Sequence, residues 1–177
     1  MKKVLKVSGI VLLVIVLGYV GFAATRPDTY HVERSRLIAA SPEVIQPQIE
    51  DLRQWVEWNP WDAMDPDMHK EFSDPSSGRG AWYSWRGNDQ VGIGRMEITE
   101  AAPSRVVYHL AFQEPFQSQS EVTITYAAEG EGTRVTWAMD GSADFTTKLF
   151  TALMDWDSMI GPDFERGLSN LDERVTE

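Results

Sequence analysis

The sequence predicts an α+β domain in which a curved, seven-stranded antiparallel sheet wraps around a long C-terminal helix, behind one N-terminal transmembrane helix. Three observations support this fold class. An uncharged apolar stretch occupies residues 7–24, short strand-like segments separated by turn residues fill residues 29–140, and apolar residues then recur at steps of three and four. Periods of two and of 3.6 residues are typical of strands and helices, respectively.

The apolar stretch at residues 7–24 is long enough to cross a membrane as a helix. With a rise of ~1.5 Å per residue it spans ~27 Å, close to the thickness of the hydrocarbon core. Three lysines lie among the first six residues, whereas the flank at 25–28 is only weakly charged. This asymmetry predicts a cytoplasmic N-terminus and a periplasmic or otherwise extracytoplasmic C-terminal domain, in a single-pass membrane protein.

A cleaved signal peptide is the alternative interpretation of the same stretch. The apolar run is longer than the usual core of a signal peptide, and Phe22–Ala24 fits the cleavage rule poorly. We therefore expect an uncleaved signal anchor. Residues 1–28 would form the transmembrane anchor and linker, and residues 29–177 the folded domain.

A first strand and two short helices are expected after the linker. Tyr30–Ala39 is rich in β-forming residues. Ser41 followed by Pro42 is typical of a helix start, and Pro47 should break or kink that helix. Asp51 then begins a second short helical turn that carries several tryptophans.

Six further strands follow at regular spacing. They are predicted at His69–Ser73, Ala81–Arg86, Val91–Glu100, Arg105–Gln113, Ser120–Ala128 and Thr133–Asp140. Short connections rich in turn residues, among them Pro115–Phe116, imply an antiparallel meander. Gly92 and Gly94 lie inside a strand with no helix after them, which favours a bulge or a close backbone approach over a dinucleotide-binding loop.

The last third of the chain has the apolar pattern of one long amphipathic helix. The repeating residues are Leu149, Leu153, Trp156, Ile160, Phe164, Leu168, Leu171 and Val175. Pro162 cannot donate a hydrogen bond to the Ser158 carbonyl, so we expect a kink there. This helix is the one predicted element long enough to cover the apolar face of the sheet.

Strand parity places apolar side chains on one face, and a curved sheet around a helix often leaves space unfilled. The residues expected to line such a cavity are Trp58, Trp85, Met96, Tyr108, Phe112, Tyr126, Trp137, Met139 and Met154. The tryptophans near residue 58 would alternatively form a hydrophobic plug beneath the short helices. The hydroxyls of Tyr108 and Tyr126 need partners, either a ligand oxygen or a backbone carbonyl or water.

Charge and composition exclude several classes of function. The net charge is −11, and beyond residue 26 the chain holds 12 basic and 27 acidic residues, a net −15. Such a domain repels phosphate backbones, so nucleic acid is not an expected partner. The chain lacks cysteine. Asp65, Asp67 and His69 alternate in an acidic loop, and Asp155 and Asp157 flank the helix stripe, but neither group matches a metal or catalytic motif, so we expect no metal and no cofactor.

Several separate motifs occur in an order that resembles the SRPBCC superfamily, and most closely its START-related, polyketide cyclase/dehydrase-like branch. They are Trp55–Trp61, the Gly78-x-Gly80 turn with Trp85 and Gly87, Gly92–Gly94, Pro115–Phe116, Thr133–Trp137 with Gly141, and Gly161–Glu165. The resemblance covers the chain from about Thr29 to its end. It implies a helix-grip fold with an apolar cavity, but no single chemistry, because members bind, carry or transform varied hydrophobic molecules.

We therefore expect binding or transport of a small hydrophobic or lipid-like molecule at the outer face of the membrane. One alternative is a cyclase- or dehydratase-type lyase that uses Tyr108, Tyr126 or a buried acid. Another is a non-catalytic interaction domain with a filled core. The sequence contains no nucleophile elbow, phosphate-binding loop or zinc-protease motif, so it offers no positive evidence of catalysis.

Overall fold

An apolar helix, α1 (Lys2–Ala24), leads into the sheet of the domain. The computed structural model describes residues 2–115 and 117–177. Within them, one helical segment, Lys6–Ala24, is long and apolar enough to cross a membrane. Its side chains are apolar on every side and largely exposed, as expected for a helix that does not belong to a soluble core.

Seven antiparallel strands form one sheet. They are β1 (Thr29–Ile38), β2 (His69–Phe72), β3 (Trp82–Arg86), β4 (Ile93–Ala102), β5 (Arg105–Glu114), β6 (Ser118–Glu129) and β7 (Gly132–Ser142). The order across the sheet is β1-β7-β6-β5-β4-β3-β2. This confirms the predicted meander. Strand β1 pairs with β7 and forms one edge of the sheet. The predicted turn at Pro115–Phe116 lies partly outside the described residues.

Two short helices connect β1 to β2. Helix α2 (Pro42–Glu50) follows Ser41, and helix α3 (Leu52–Trp55) is capped by the Asp51 side chain, which accepts a hydrogen bond of 2.9 Å from the Arg53 amide. The predicted break at Pro47 is wrong, because α2 runs through it to Glu50. Proline removes only one hydrogen bond, and the burial of Ile45 and Ile49 in the core holds the helix together.

The C-terminal segment consists of two helices, α4 (Phe145–Thr151) and α5 (Trp156–Thr176), where the apolar spacing predicted one. Asp144 and Asp155 cap them, by accepting hydrogen bonds from the amides of Thr147 (2.7 Å) and Ser158 (3.1 Å). A cap at Asp155 starts a new helix, so residues 149 and 153 do not belong to the face that grips the sheet. Helix α5 remains unbroken at Pro162.

Helix α5 lies against β1 and β7 on the concave side of the sheet. The Arg34 guanidinium of β1 donates to both oxygens of Asp157 (2.6 and 2.8 Å) and to Glu165 (2.7 Å) on α5. Gly161 permits this close approach, because an added Cβ would overlap the Arg34 side chain. The result is a helix fixed along one side of the sheet, with the space toward β3–β5 left for other groups.

Candidate functional site

An apolar cavity of about 200 Å³ lies between the sheet, α5 and the segment at residues 55–68. Five of the nine predicted lining residues contribute to it: Trp85, Met96, Phe112, Trp137 and Met139. Further apolar side chains complete the wall: Trp55, Trp61, Met68, Tyr83, Val91, Leu110, Val122, Ile160 and Phe164. One water molecule occupies ~30 Å³ in the liquid, so this space exceeds a few waters.

Aromatic rings form the wall of the cavity beneath α5. Trp137 stacks on Phe164, with ring centroids 4.3 Å apart and planes inclined by 12°. Trp55 and Trp61 approach the Trp137 ring edge-on, at 5.0 and 5.8 Å. Trp137 Nε1 is buried and has no hydrogen-bond partner in the part of the chain that the structure describes. The wall is therefore almost entirely apolar, and the indole donors of both Trp55 and Trp137 have no hydrogen-bond partner among the described residues.

Four polar side chains also line the cavity: Asn59, Asp62, Gln90 and Asp163. The Asn59 side-chain oxygen accepts hydrogen bonds from the Trp61 and Asp62 amides (3.0 and 3.3 Å), and its amide nitrogen donates to the Asp62 carboxylate. Asp62 also forms an ion pair with Lys70. Burial lowers the pKa of Lys70 below its ordinary value, and the nearby Glu57 carboxylate offsets only part of this shift. Both carboxylates that line the cavity are thus paired within the protein, Asp62 with Lys70 and Asp163 with Arg166.

The other four predicted lining residues lie elsewhere. Trp58 is the plug of the alternative interpretation: it is buried under α2, and its Nε1 donates to the Gln48 carbonyl (2.9 Å). Met154 is half-exposed in the turn between α4 and α5, because the C-terminal segment is two helices. Tyr108 and Tyr126 are buried on the inner face but point to α2.

Both inward tyrosines are hydrogen-bonded to protein groups. The Tyr108 hydroxyl donates to the Ile49 carbonyl (2.7 Å), and the Tyr126 hydroxyl to a Glu50 carboxylate oxygen (3.4 Å). Burial, reinforced by the Glu50 charge, raises the pKa of Tyr126 to about 12 and that of Tyr108 well above 10. Neither tyrosine lines the cavity and both hydroxyls donate to protein groups, which weakens the lyase hypothesis that named them.

The raised tyrosine pKa values predict a loss of stability in alkali. In the unfolded chain a tyrosine ionises near pH 10. Above that pH the unfolded state releases protons that the folded state retains, so the free energy of unfolding falls as pH rises. We expect the urea midpoint of the full chain in phosphatidylcholine nanodiscs to fall between pH 9 and pH 11. Tyr126→Phe should show a smaller fall, and equal falls in both proteins would contradict the assignment.

A wider groove, of about 690 Å³, lies open to solvent across the outer face of the sheet. His31 and His109 both contribute to it, and His31 Nδ1 lies 2.8 Å from Asp140 Oδ1. Three strand spacings separate the two histidines, or ~14 Å, which is too far for them to share a metal ion. This groove is a polar surface depression, and the enclosed apolar cavity is the better candidate for a ligand site.

Three of the acidic residues noted in the sequence, Asp65, Asp155 and Asp157, have structural partners. Asp65 accepts a hydrogen bond from the Asn88 amide (2.7 Å) and so ties the loop before β2 to the β3–β4 turn. Asp155 caps α5, and Asp157 pairs with Arg34. Hydrogen bonding to the Arg34 guanidinium lowers the pKa of Asp157. No cluster of three or more potential metal ligands occurs among residues 2–115 and 117–177.

Comparison with known families gives a match over the folded domain. The sequence profile of the family described as "Polyketide cyclase / dehydrase and lipid transport" matches residues 29–176. A comparison with curated proteins gave no significant match. The family match, with the similarities in structure below, confirms the resemblance inferred from the sequence motifs.

Solved structures with the same fold come from distant organisms. Protein CV1439 from Chromobacterium violaceum is 16% identical, with a TM-score of 0.60 over 86% of this chain and 99% of that one. Major latex-like protein 151 from Panax ginseng is 12% identical, with a TM-score of 0.60 over 85% and 100%. A solution structure of the Aha1 dimer from Colwellia psychrerythraea is 16% identical, with a TM-score of 0.58 over 82% and 96%. At these identities the similarity establishes the helix-grip fold.

Proposed function

Since the chain belongs to the polyketide cyclase/dehydrase and lipid transport family, we propose that it binds a small apolar molecule in the cavity between its sheet and α5, at the outer face of a membrane that α1 crosses. The observation that carries this proposal is the cavity of about 200 Å³, whose wall is built mainly from aromatic and aliphatic side chains. Concave apolar sites with few polar groups are typical of small-molecule binding sites.

The size of the cavity favours a compact ligand. Pockets for drug-sized molecules measure ~300–1,000 Å³, whereas an engineered apolar cavity of ~150 Å³ in another protein binds benzene. A cavity of about 200 Å³ therefore suits a molecule with one or two rings, or a short alkyl chain. An anionic ligand is disfavoured, because the carboxylates of Asp62 and Asp163 line the cavity.

The position at a membrane is supported by α1 and by charge. We propose that residues 1–28 are an anchor and linker and that residues 29–177 are the binding domain. Three lysines precede the apolar segment, which favours an N-terminus in the cytoplasm and a domain outside it. An apolar ligand partitions into lipid, so an anchored binding protein would meet its cargo at the bilayer, for retention or transfer.

A cavity-filling substitution tests the binding proposal. Val122 lies on the cavity wall and is buried. Val122→Phe should occupy the empty space with little loss of stability, because the added ring fills a void instead of displacing packed atoms. We expect the bound ¹⁹F NMR resonance of fluorobenzene, recorded with the full chain in phosphatidylcholine nanodiscs, to weaken at least about tenfold in this variant, a loss of ~1.4 kcal/mol in binding.

The control is the same substitution outside the cavity. Val44 on α2 is half-exposed, so Val44→Phe adds an identical ring without entering the cavity. It should leave the bound resonance unchanged and correct for partition of fluorobenzene into lipid. If the wild-type chain gave no bound resonance with fluorobenzene or 2-fluoronaphthalene, or if Val122→Phe bound as well as wild type, the proposal would be wrong.

A further inference from the structure

Exposed apolar side chains of the domain are concentrated in one stretch of the chain. Outside α1, six large apolar side chains of the described residues are exposed, and four of them lie between residues 145 and 159: Phe145, Leu153, Met154 and Met159. Leu153 is 80% exposed, and Phe145 and Met154 are each 49% exposed. Leu37 and Val44 are the other two, at the far end of β1 and on α2. Such a cluster is unusual on a surface that faces only water.

This cluster adjoins the end of the apolar helix. Helix α4 contacts α1: the Tyr19 hydroxyl donates to the Leu149 carbonyl, and Ala23 is fully buried there. Leu153 follows Leu149 by four residues, in the turn just after α4. The surface formed by α4 and residues 152–154 is therefore continuous with the last turns of α1.

The length of α1 determines the depth of α4. The apolar segment Lys6–Ala24 has 19 residues, which span ~28 Å, against ~30 Å of hydrocarbon. No residue of this segment can be left in water if it is to cross the bilayer. Because α4 covers α1 between Tyr19 and Ala23, α4 lies at the level of the outer leaflet, where tyrosine side chains are also enriched.

The charges around α4 do not attract anionic headgroups. Lys148 is its single basic residue, and this side chain is buried in an ion pair with Asp28. Arg26, just after the end of α1, lines the same surface depression as Lys148, together with Asp155. Asp144 precedes α4 and Asp155 follows it, each occupied as a helix cap. Contact with lipid at this surface would therefore come from apolar insertion and not from electrostatic attraction.

We infer that α4 and residues 152–154 form an interfacial segment, which inserts Phe145, Leu153 and Met154 into the outer surface of the bilayer and docks the domain there. Amphipathic segments of this kind insert ~5–10 Å into the boundary between headgroups and acyl chains. The inference rests on the membrane span proposed for α1. It adds a second contact with the membrane, which fixes the orientation of the domain and not only its tether.

Site-specific labelling tests this inference, because the natural chain has no cysteine. Leu153→Cys, labelled with the polarity-sensitive fluorophore NBD, is reconstituted as the full chain into phosphatidylcholine vesicles. Leu37→Cys is the matched control. Leu37 is an exposed leucine that lies eight residues after the first residue of β1, which places it ~26 Å from the start of that strand. Flotation after a carbonate wash reports the span of α1, independently of the fluorophore.

We expect both labelled chains to float with the vesicles, and NBD emission at residue 153 to be several-fold higher than at residue 37 and quenched by lipids brominated on their acyl chains. Added phosphatidylglycerol should not change the quenching. If the chain floats but NBD emission at residue 153 is as low as at residue 37, the interfacial segment is disproved, whereas the proposed membrane span of α1 is not. Quenching that requires phosphatidylglycerol would also overturn insertion, and a chain that does not float would overturn both proposals.

Discussion

Trp137→Ala should destabilise the domain by about 4 kcal/mol, the largest effect we expect from one side chain, since removing a buried tryptophan typically costs ~3–5 kcal/mol. Trp137 is 1% exposed and stacks on Phe164 of α5. It also contacts the rings of Trp55, Trp58 and Trp61. Its loss would join a new void to the existing cavity and separate α5 from the sheet. Domains of this size are stable by only ~5–15 kcal/mol, so a loss of about 4 kcal/mol would remove a large part of the total stability.

Urea unfolding of the full chain in nanodiscs, followed by tryptophan emission and by circular dichroism, measures this loss. Trp82→Ala is the control, because Trp82 lies on the outer face beneath Arg95, whose Cζ is 4.0 Å from the ring centroid. An exposed cation–π contact is worth ~0.5–1 kcal/mol, so the control should lose about 1 kcal/mol. Losses of similar size in the two variants would show that the Trp137 cluster does not hold α5 in place.

The sheet was predictable because its signal is local. Alternation with a period of two assigns each side chain to a face, and it placed Met96, Phe112, Trp137 and Met139 correctly on the face that lines the cavity. The same parity would have added Tyr83, two residues before Trp85, to the cavity wall. The apolar stripe of the last helix already contained Ile160 and Phe164, which also line it. The wall was thus largely present in the sequence pattern.

The sequence predictions that were wrong concerned features that depend on contacts between distant residues or on helix capping. Leu149 and Leu153 fit the spacing of α5, but Asp155 accepts a hydrogen bond from Ser158 and begins a separate helix. Tyr108 was expected at the cavity, but its hydroxyl reaches the Ile49 carbonyl, 59 residues earlier in the chain. A period shows which side of an element is buried, and not which partner covers it.

The break between α4 and α5 brings the proposed membrane surface close to the cavity. Trp156 begins α5 and stacks on Tyr30 of β1, with ring centroids 4.1 Å apart. Ile160, which lines the cavity, lies one turn further, ~6 Å along the helix axis. One uninterrupted helix would have carried Leu153 on the gripping face, away from lipid. The cap at Asp155, which the apolar spacing did not predict, thus leaves Leu153 exposed only seven residues before the cavity-lining Ile160.

Gly92→Ala should be much more damaging than Gly130→Ala, although both glycines have left-handed backbone angles, with φ of +65° and +61°. An alanine in this region costs ~1–2 kcal/mol. At Gly130 the added Cβ meets only open space, so we expect about 1 kcal/mol there. At Gly92 the Cβ would overlap the Glu114 carbonyl oxygen, and forced overlap of packed atoms adds ~1–3 kcal/mol. A total loss of about 3 kcal/mol is therefore expected in urea unfolding.

The consequence of the Gly92 substitution should extend to ligand binding, because this residue directly follows the cavity-lining Val91. Its neighbour Val91 lines the wall, and the Val91 carbonyl accepts a hydrogen bond from Trp85 Nε1 (3.0 Å). Moving the start of β4 away from Glu114 would displace Val91 and, through this hydrogen bond, Trp85. We therefore expect Gly92→Ala, and not Gly130→Ala, to weaken the bound fluorobenzene resonance at a temperature where each variant remains folded. Equal stability losses in the two variants would mean that the turn before β4 can shift freely at Gly92, and Gly92 would then have no part in shaping the cavity.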